Sequence, residues 1–275
     1  MMLKFYKMTG AGNDFIMVDN RDNSLDQFLY PACIEALCDR RFGVGADGLI
    51  AVEPAQGKAD VRMRYYNSDG GEAEMCGNGA RCFTAFVDFL IEDGMPEMSF
   101  ETMAGIVKGW VNDDDTVTIQ LTQPKDLKLN VIEASDILPA PVQFLNTGVP
   151  HAVAFLPEIK DLDIKKVGAH LRYHEAFAPA GTNANFAQVL EPNFLMVRTY
   201  ERGVEDETLA CGTGVTATAL LHAIMTDTPA PISVNVRGGD VLTIDFKRKG
   251  NNFSDITLTG PALIVFRGEV ILDEN

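Results

Sequence analysis

The chain has 275 residues, 46% of them hydrophobic (AVILMFWYC) and 23% charged, so disordered, collagenous and low-complexity classes are excluded. Lys and Arg total 23 against 39 Asp and Glu, and the resulting net charge of −16 repels phosphate backbones and anionic lipid, arguing against nucleic acid and membrane as partners. Five cysteines (Cys33, Cys38, Cys76, Cys82, Cys211) form no CxxC pair and no even disulfide set, and MMLKFYKMTG lacks the apolar core of a signal peptide, so free thiols in the reducing cytoplasm are expected.

In chain order, alternating or β-rich stretches predict strands at 3–8, 15–19, 49–53, 61–66, 106–111 and 116–121, with helices over 30–40 and 79–92. The second half repeats this texture, with strands at 144–145, 152–156, 186–190, 195–200, 232–236, 241–247, 256–258 and 263–267, and one helix at 215–225. Strands outnumber helices and are joined by Gly, Asn and Asp turns, which predicts α+β rather than doubly wound α/β.

The repeat can be followed landmark by landmark. Thr9-Gly10 answers Thr147-Gly148, Gly45 answers Gly181, Asn67 closing RMRYYN answers Glu201 closing MVRTYE, and Cys76 in MCGNGA answers Cys211 in ACGTGV, at offsets of 138, 136, 134 and 135. Two copies of one domain are therefore expected, at 1–124 and 125–265, with the boundary in the turn-rich QPKDLKLN (123–130) and a last strand, 266–275, free to return to the first copy.

Each copy sets a cysteine directly before a Gly-x-Gly turn that opens a helix. Glycines admit close backbone approach, first-turn N–H groups offer themselves to an anion, and the positive helix end lowers a thiol's pKa. Two such sulfurs in one cleft, from copies related by a pseudo-twofold, suit inversion at a carbon: a thiolate takes the proton from one face and a thiol returns one to the other. A lone cysteine is usually a small buried hydrophobe. Cys76 and Cys211 depart from that reading because the repeat keeps Cys-Gly-x-Gly while its surroundings change. Cys33, Cys38 and Cys82 have no counterpart and keep it.

Other features point less far. GVGADG (43–48) matches GxGxxG but follows a helix and precedes a strand, the reverse of a dinucleotide site, and GTGVTA after Cys211 follows acidic loop sequence. No Lys suggests a pyridoxal-phosphate Schiff base, and no metal-ligand spacing appears, so no cofactor is expected. Asn13, Asn67, Asn78 and Asn183 are either turn formers or cleft-lining groups. His151 could pair with a thiol, as in a Cys-His hydrolase. His170, His174 and His222 read as surface or helix-packing residues, and Glu201-Arg202 as an ordinary pair or as charges facing an amino acid.

These residues resemble the diaminopimelate epimerase family, pyridoxal-phosphate-independent amino-acid isomerases, across KMTGAGNDFIMVDN, RRFGVGADGLI, YNSDGGEAEMCGNGARC, TGVPHAV, GTNANF and YERGVEDETLACGTG. Related proline racemases carry His in place of Asn78. The resemblance implies Cys76 and Cys211 as base and acid, with helix-start amides at Gly77-Asn78 and Gly212-Thr213 on the reacting carboxylate. It also implies Asn13, Asn67, Asn183, Glu201 and Arg202 as substrate contacts, and His151 with Glu201 tuning the thiols. The implied fold is two similar pseudo-twofold domains, each a barrel-like, mostly antiparallel sheet around a central helix, usually in a homodimer. The chain departs at Val149 and Gly48, where some members have Asn and Gln as substrate contacts, and in a short insertion within VEDET. A racemase of another amino acid, a Cys-His hydrolase and a non-catalytic amino-acid-binding protein are the competing readings.

Overall fold

The computed structural model describes residues 2–91 and 94–272. It divides into two compact units, Met1–Ile119 with Gly260–Asn275, and Gln120–Thr259. Against the expected division, the first unit ends a few residues earlier and regains the chain from Gly260 onward.

In unit 1 the strands lie in the order β18 (Leu263–Ile271), β1 (Met2–Gly10), β2 (Asn13–Asp19), β3 (Gly48–Pro54), β4 (Val61–Asn67), β6 (Met98–Thr102), β7 (Gly105–Val111) and β8 (Val117–Gln120), with the short β5 (Glu72–Ala73) also on β4. All neighbours are antiparallel except β2/β3 and β4/β6. Unit 2 reproduces the order strand for strand: β9 (Lys125–Ile132), β10 (Val142–Asn146), β11 (Pro150–Phe155), β12 (Asn183–Glu191), β13 (Phe194–Glu201), β15 (Ile232–Val236), β16 (Val241–Lys249) and β17 (Asn252–Gly260), with β14 (Asp206–Thr208) beside β13. The two parallel pairs recur as β11/β12 and β13/β15. This is the expected α+β duplication.

Each sheet curves around one helix. α2 (Gly77–Leu90) packs against β1, β2, β3, β4, β7 and β18, and α4 (Gly212–Thr226) against β10, β11, β12, β13, β15 and β16. Surrounded this way, neither keeps a polar face; on α2 everything from Gly77 to Thr84 is buried, with Phe86 and Val87. Phe83 meets Phe100 of β6 with ring centroids 4.9 Å apart, both fully buried, and each such ring contributes about 2–3 kcal/mol by leaving water. The hydroxyls of Thr84, Thr216 and Thr218 bond back to the carbonyls of Ala80, Gly212 and Gly214, so they enter the core satisfied. Outside the sheets, α1 (Pro31–Cys38) covers β3 through Ile34 and Leu37, and α3 (Ile164–Arg172) covers β12 and β13 through Ile164, Val167 and Leu171.

The structure corrects several expected elements. QPKDLKLN is largely strand rather than linker: β9 runs Lys125–Ile132 beside β10, the counterpart of β18 beside β1. It hides from pattern reading because most of its residues are exposed on both faces and positive φ at Asp126 and Asn130 interrupts its alternation. At the second break Gln143 holds Asn130, its Oε1 accepting from the backbone N–H at 2.8 Å and its Nε2 donating to Oδ1 at 3.1 Å. α3, β6 and the short β5 and β14 were not expected. Both central helices begin earlier than their apolar periodicity suggests, at Gly77 and Gly212, immediately after the cysteines. The expected helix terminus at Glu92, and residues 273–275 of the expected last strand, lie outside the described residues.

Candidate active site

Cys76 and Cys211 are the N-cap residues of α2 and α4, with extended backbone (φ −129°, ψ 126° and φ −129°, ψ 104°). Their carbonyls accept the first helical bonds, from Ala80 N–H at 2.7 Å and Val215 N–H at 2.9 Å. The next N–H groups, of Gly77 and Asn78 and of Gly212 and Thr213, have no intrahelical acceptor by the geometry of a helix start. Each sulfur therefore sits at a positive helix end beside donors suited to a carboxylate. Cys76 is partly exposed and Cys211 about 8% exposed.

Close approach explains the second glycine of Cys-Gly-x-Gly. A Cβ on Gly214 would lie 2.3 Å from Asn185 Oδ1 and 3.3 Å from His151 Cε1, and one on Gly79 would lie 3.0 Å from Ile50 Cδ1. A side chain there would push the first helical turn away from the sheet that positions it.

The two half-sites differ behind the cysteines. In unit 1, Arg81 Nη2 donates to Asn78 Oδ1 (2.9 Å), Asn78 Nδ2 to Asn13 Oδ1 (2.7 Å) and Asn13 Nδ2 to Asp47 Oδ2 (2.9 Å). Arg40 bonds both Asp47 and Asp14, and Lys7 pairs with Asp14 at 2.7 Å. Burial alone would raise Asp14, but the Arg40 and Lys7 bonds outweigh it and hold the carboxyl at about 2. In unit 2, fully buried His151 occupies the place that Phe15 has in unit 1, its Nε2 2.9 Å from Thr213 Oγ1, which lies 3.5 Å from Cys211 Sγ. Its Nδ1 is 3.2 Å from Asn185 Nδ2. Burial first, and then the Arg202 charge, push His151 down to about 3, so the imidazole is neutral.

The remaining predicted residues sort into these units. Both ends of the Asn183 amide are engaged, Nδ2 with Pro150 O (3.2 Å) and Oδ1 with Arg202 N–H (2.8 Å), so it fixes the turn leaving β13 where Glu201 and Arg202 lie. Arg202 also borders a cavity of about 380 Å³ with Lys128, Phe144, Asn146 and Phe177, a space that Cys211, Thr213 and His151 do not line. Asn67 is exposed at the end of β4, opposite Gly48 in register. A Cβ on Gly48 would strike Tyr66 O at 2.3 Å and Tyr65 Cε2 at 2.8 Å, so this backbone has no room for the Gln found there in some relatives. His222 is a packing residue bonded to Pro192 O at 2.7 Å. Burial raises the thiols of Cys33, Cys38 (about 11) and Cys82 (about 12), which disfavours their thiolates.

Asn185, Thr199, Asp47 and Arg81 were missed by sequence reasoning. A signal existed for one of them: Asn183 and Asn185 are two apart on a strand and share a face, so two amides were aimed at the core.

The family model for diaminopimelate epimerase matches residues 5–126 and 143–265. The chain belongs to the diaminopimelate epimerase family. A diaminopimelate epimerase of Flavobacterium psychrophilum is 41% identical over 271 residues, covering 96% of this chain and 98% of the relative. That of Aquifex aeolicus is 40% identical over 281 residues, covering 98% of both chains. In fold, the chain is similar to a Bacillus anthracis phenazine biosynthesis protein of the PhzF family, at TM-score 0.72 and 15% identity, covering 99% of this chain and 100% of that one.

Proposed function

We propose that the protein interconverts LL- and meso-2,6-diaminopimelate without a cofactor, with Cys76 and Cys211 exchanging the roles of base and acid. The carrying observation is that both repeats place a cysteine at the N-cap of their central helix. One thiolate takes the α-proton, and the other thiol delivers a proton to the opposite face; in the reverse direction the roles swap. The N–H groups of Gly77 and Asn78 and of Gly212 and Thr213 hold the α-carboxylate, where their charge stabilises the carbanion as it forms. Asn13, Asn67, Asn183, Glu201 and Arg202 meet the rest of the substrate, and His151 with Glu201 tunes the thiols. A carbonyl such as Asn13 Oδ1 keeps a second lone pair for an ammonium group.

A Cys-His hydrolase is disfavoured because His151 Nε2 is turned to Thr213 and the buried ring is a poor base at neutral pH. Incubation with LL-diaminopimelate in deuterated water should yield the meso isomer carrying α-deuterium. Isomerisation without solvent deuterium, or only with added pyridoxal phosphate, overturns the reading.

We further propose a cytoplasmic homodimer. Reactive thiols favour a reducing compartment. The dimer is supported by consecutive exposed apolar residues on β18, Leu263, Ile264, Val265 and Phe266, with Ile271 of the same strand 75% exposed. Sedimentation at micromolar concentration should give twice the 30.0 kDa chain mass; a monomer rejects the dimer. Among the described residues no helix is long and apolar enough to cross a membrane.

A further inference from the structure

Asn185 is fully buried on β12, and its amide orientation is set from three sides. Nδ2 lies 3.0 Å from Ala152 O and 3.2 Å from His151 Nδ1, and Oδ1 accepts from Thr199 Oγ1 at 3.0 Å. Rotating the amide would face its oxygen to a carbonyl oxygen, so the NH₂ group is the end that meets the imidazole. A donor at Nδ1 requires Nδ1 to be the acceptor, which puts the ring proton on Nε2. Nε2–H then donates to Thr213 Oγ1, and that hydroxyl must turn its own hydrogen elsewhere; Cys211 Sγ is 3.5 Å away.

We propose that Asn185 is a positioning residue that locks His151 as the Nε2–H tautomer, so that the Thr213 hydroxyl donates to the Cys211 sulfur and favours its thiolate. This deepens the two-thiol reading and rests on it. The chain Asn185, His151, Thr213, Cys211 runs one way, each group donating to the next. The ring contributes direction rather than charge: it stays neutral and gives up no proton. Unit 1 has no such chain behind Cys76, since the places matching His151 and Asn185 hold the apolar Phe15 and Ile50, which face Gly79 as His151 and Asn185 face Gly214. The device therefore acts on one thiol of the two.

Two-bond ¹H–¹⁵N spectra of the full-length protein with ¹⁵N-labelled histidine read the tautomer directly. At pH 7 to 8 His151 should carry its proton on Nε2, with Nδ1 showing the shift of an unprotonated, hydrogen-bonded nitrogen. A proton on Nδ1, or an imidazolium, overturns the proposal without any variant having to fold. In Asn185→Asp the polarity reverses: the carboxylate accepts from Nδ1–H, Nε2 takes the Thr213 hydrogen, and Cys211 should alkylate with iodoacetamide about tenfold more slowly at pH 7, the scale of one lost hydrogen bond to a charged group. Cys76, followed in the same peptide maps, should keep its rate. Thr213→Val should slow Cys211 similarly and Thr213→Ser should restore it. In the Thr213→Val background Asn185→Asp should add nothing, whereas a direct effect of the new carboxylate charge would persist. Persistence, or an unchanged Cys211 rate in Asn185→Asp, overturns the relay while leaving the two-thiol reading intact. Epimerisation surviving in Cys211→Ala overturns the two-thiol reading while leaving the tautomer measurement standing.

Discussion

Cys76 and Cys211 share a backbone setting that the other three cysteines lack, and function should divide along that line. Cys76→Ala and Cys211→Ala should each reduce kcat by more than tenfold, a loss above about 1.4 kcal/mol, whereas Cys33→Ala and Cys38→Ala should keep near-wild-type turnover in the same assay. His151 gives a second prediction, this one for stability. Its ordinary value is 6.5 and the folded value about 3, so between these pH values the unfolded chain binds a proton that the folded chain refuses. Stability is therefore lost as pH falls from about 6.5 toward 3, at about 1.4 kcal/mol per unit. Urea unfolding of wild type and His151→Gln at pH 6, 5 and 4 should show wild type losing its advantage at that rate; parallel curves would mean that the ring is protonated in the fold. The thiols were legible as residues because a repeated motif isolates them. Asn185 was not, because its importance lies in which atom it turns to His151, and that depends on Ala152 and Thr199 brought from elsewhere in the chain.

At the scale of elements, α3 and the VEDET loop explain each other. Asp163 caps α3, its side chain accepting from Lys166 N–H at 3.2 Å, and Ile164, Val167 and Leu171 recur at helical spacing, a pattern obscured by Gly168 in the middle. The helix then presents Lys165 to Asp206 (2.7 Å) and Arg172 to Glu205 (3.1 Å), while Arg198 of β13 takes Glu207 through two bonds (2.6 and 2.8 Å). Every acid of this loop is thus tied before the chain reaches Cys211. The ties are unequal. Lys165 is mostly exposed, so Lys165→Met should leave the unfolding midpoint close to that of the wild type. Arg198 is largely buried and also donates to the carbonyls of Ile159, Lys160 and Leu162, so Arg198→Met leaves Glu207 poorly compensated and should cost about 3 kcal/mol by chemical denaturation. Equal losses in the two variants would show that the loop is not held through Arg198.

For the whole molecule, the duplication was readable from four landmarks at near-constant offset, because a repeated fold keeps its turns and its helix-opening glycines even where the core residues change. Strands buried on one face, such as β1, β4 and β16, announced themselves by alternation. β9 did not, since a largely exposed edge strand with two left-handed residues carries no periodic burial for a pattern to follow. Its partner in the repeat, β18, was legible as a strand with a possible return to the first copy, but not in its pairing with β1, a long-range choice that local sequence does not record.

That destination bears on how the molecule is made. β18 pairs with β1 along its whole length, from Met2 opposite Ile271 to Thr9 opposite Leu263, so unit 1 joins two segments far apart in sequence while unit 2 is one uninterrupted run. During vectorial synthesis the first 119 residues leave the ribosome without the strand that completes their sheet, and β1 waits with an open edge while all of unit 2 is translated. The later-made half has all its strands first, and the earlier-made half closes only when β18 emerges. A nascent chain stalled shortly after β17 should therefore protect unit 2 from protease while β1 remains cleavable, an order of maturation opposite to the order of translation.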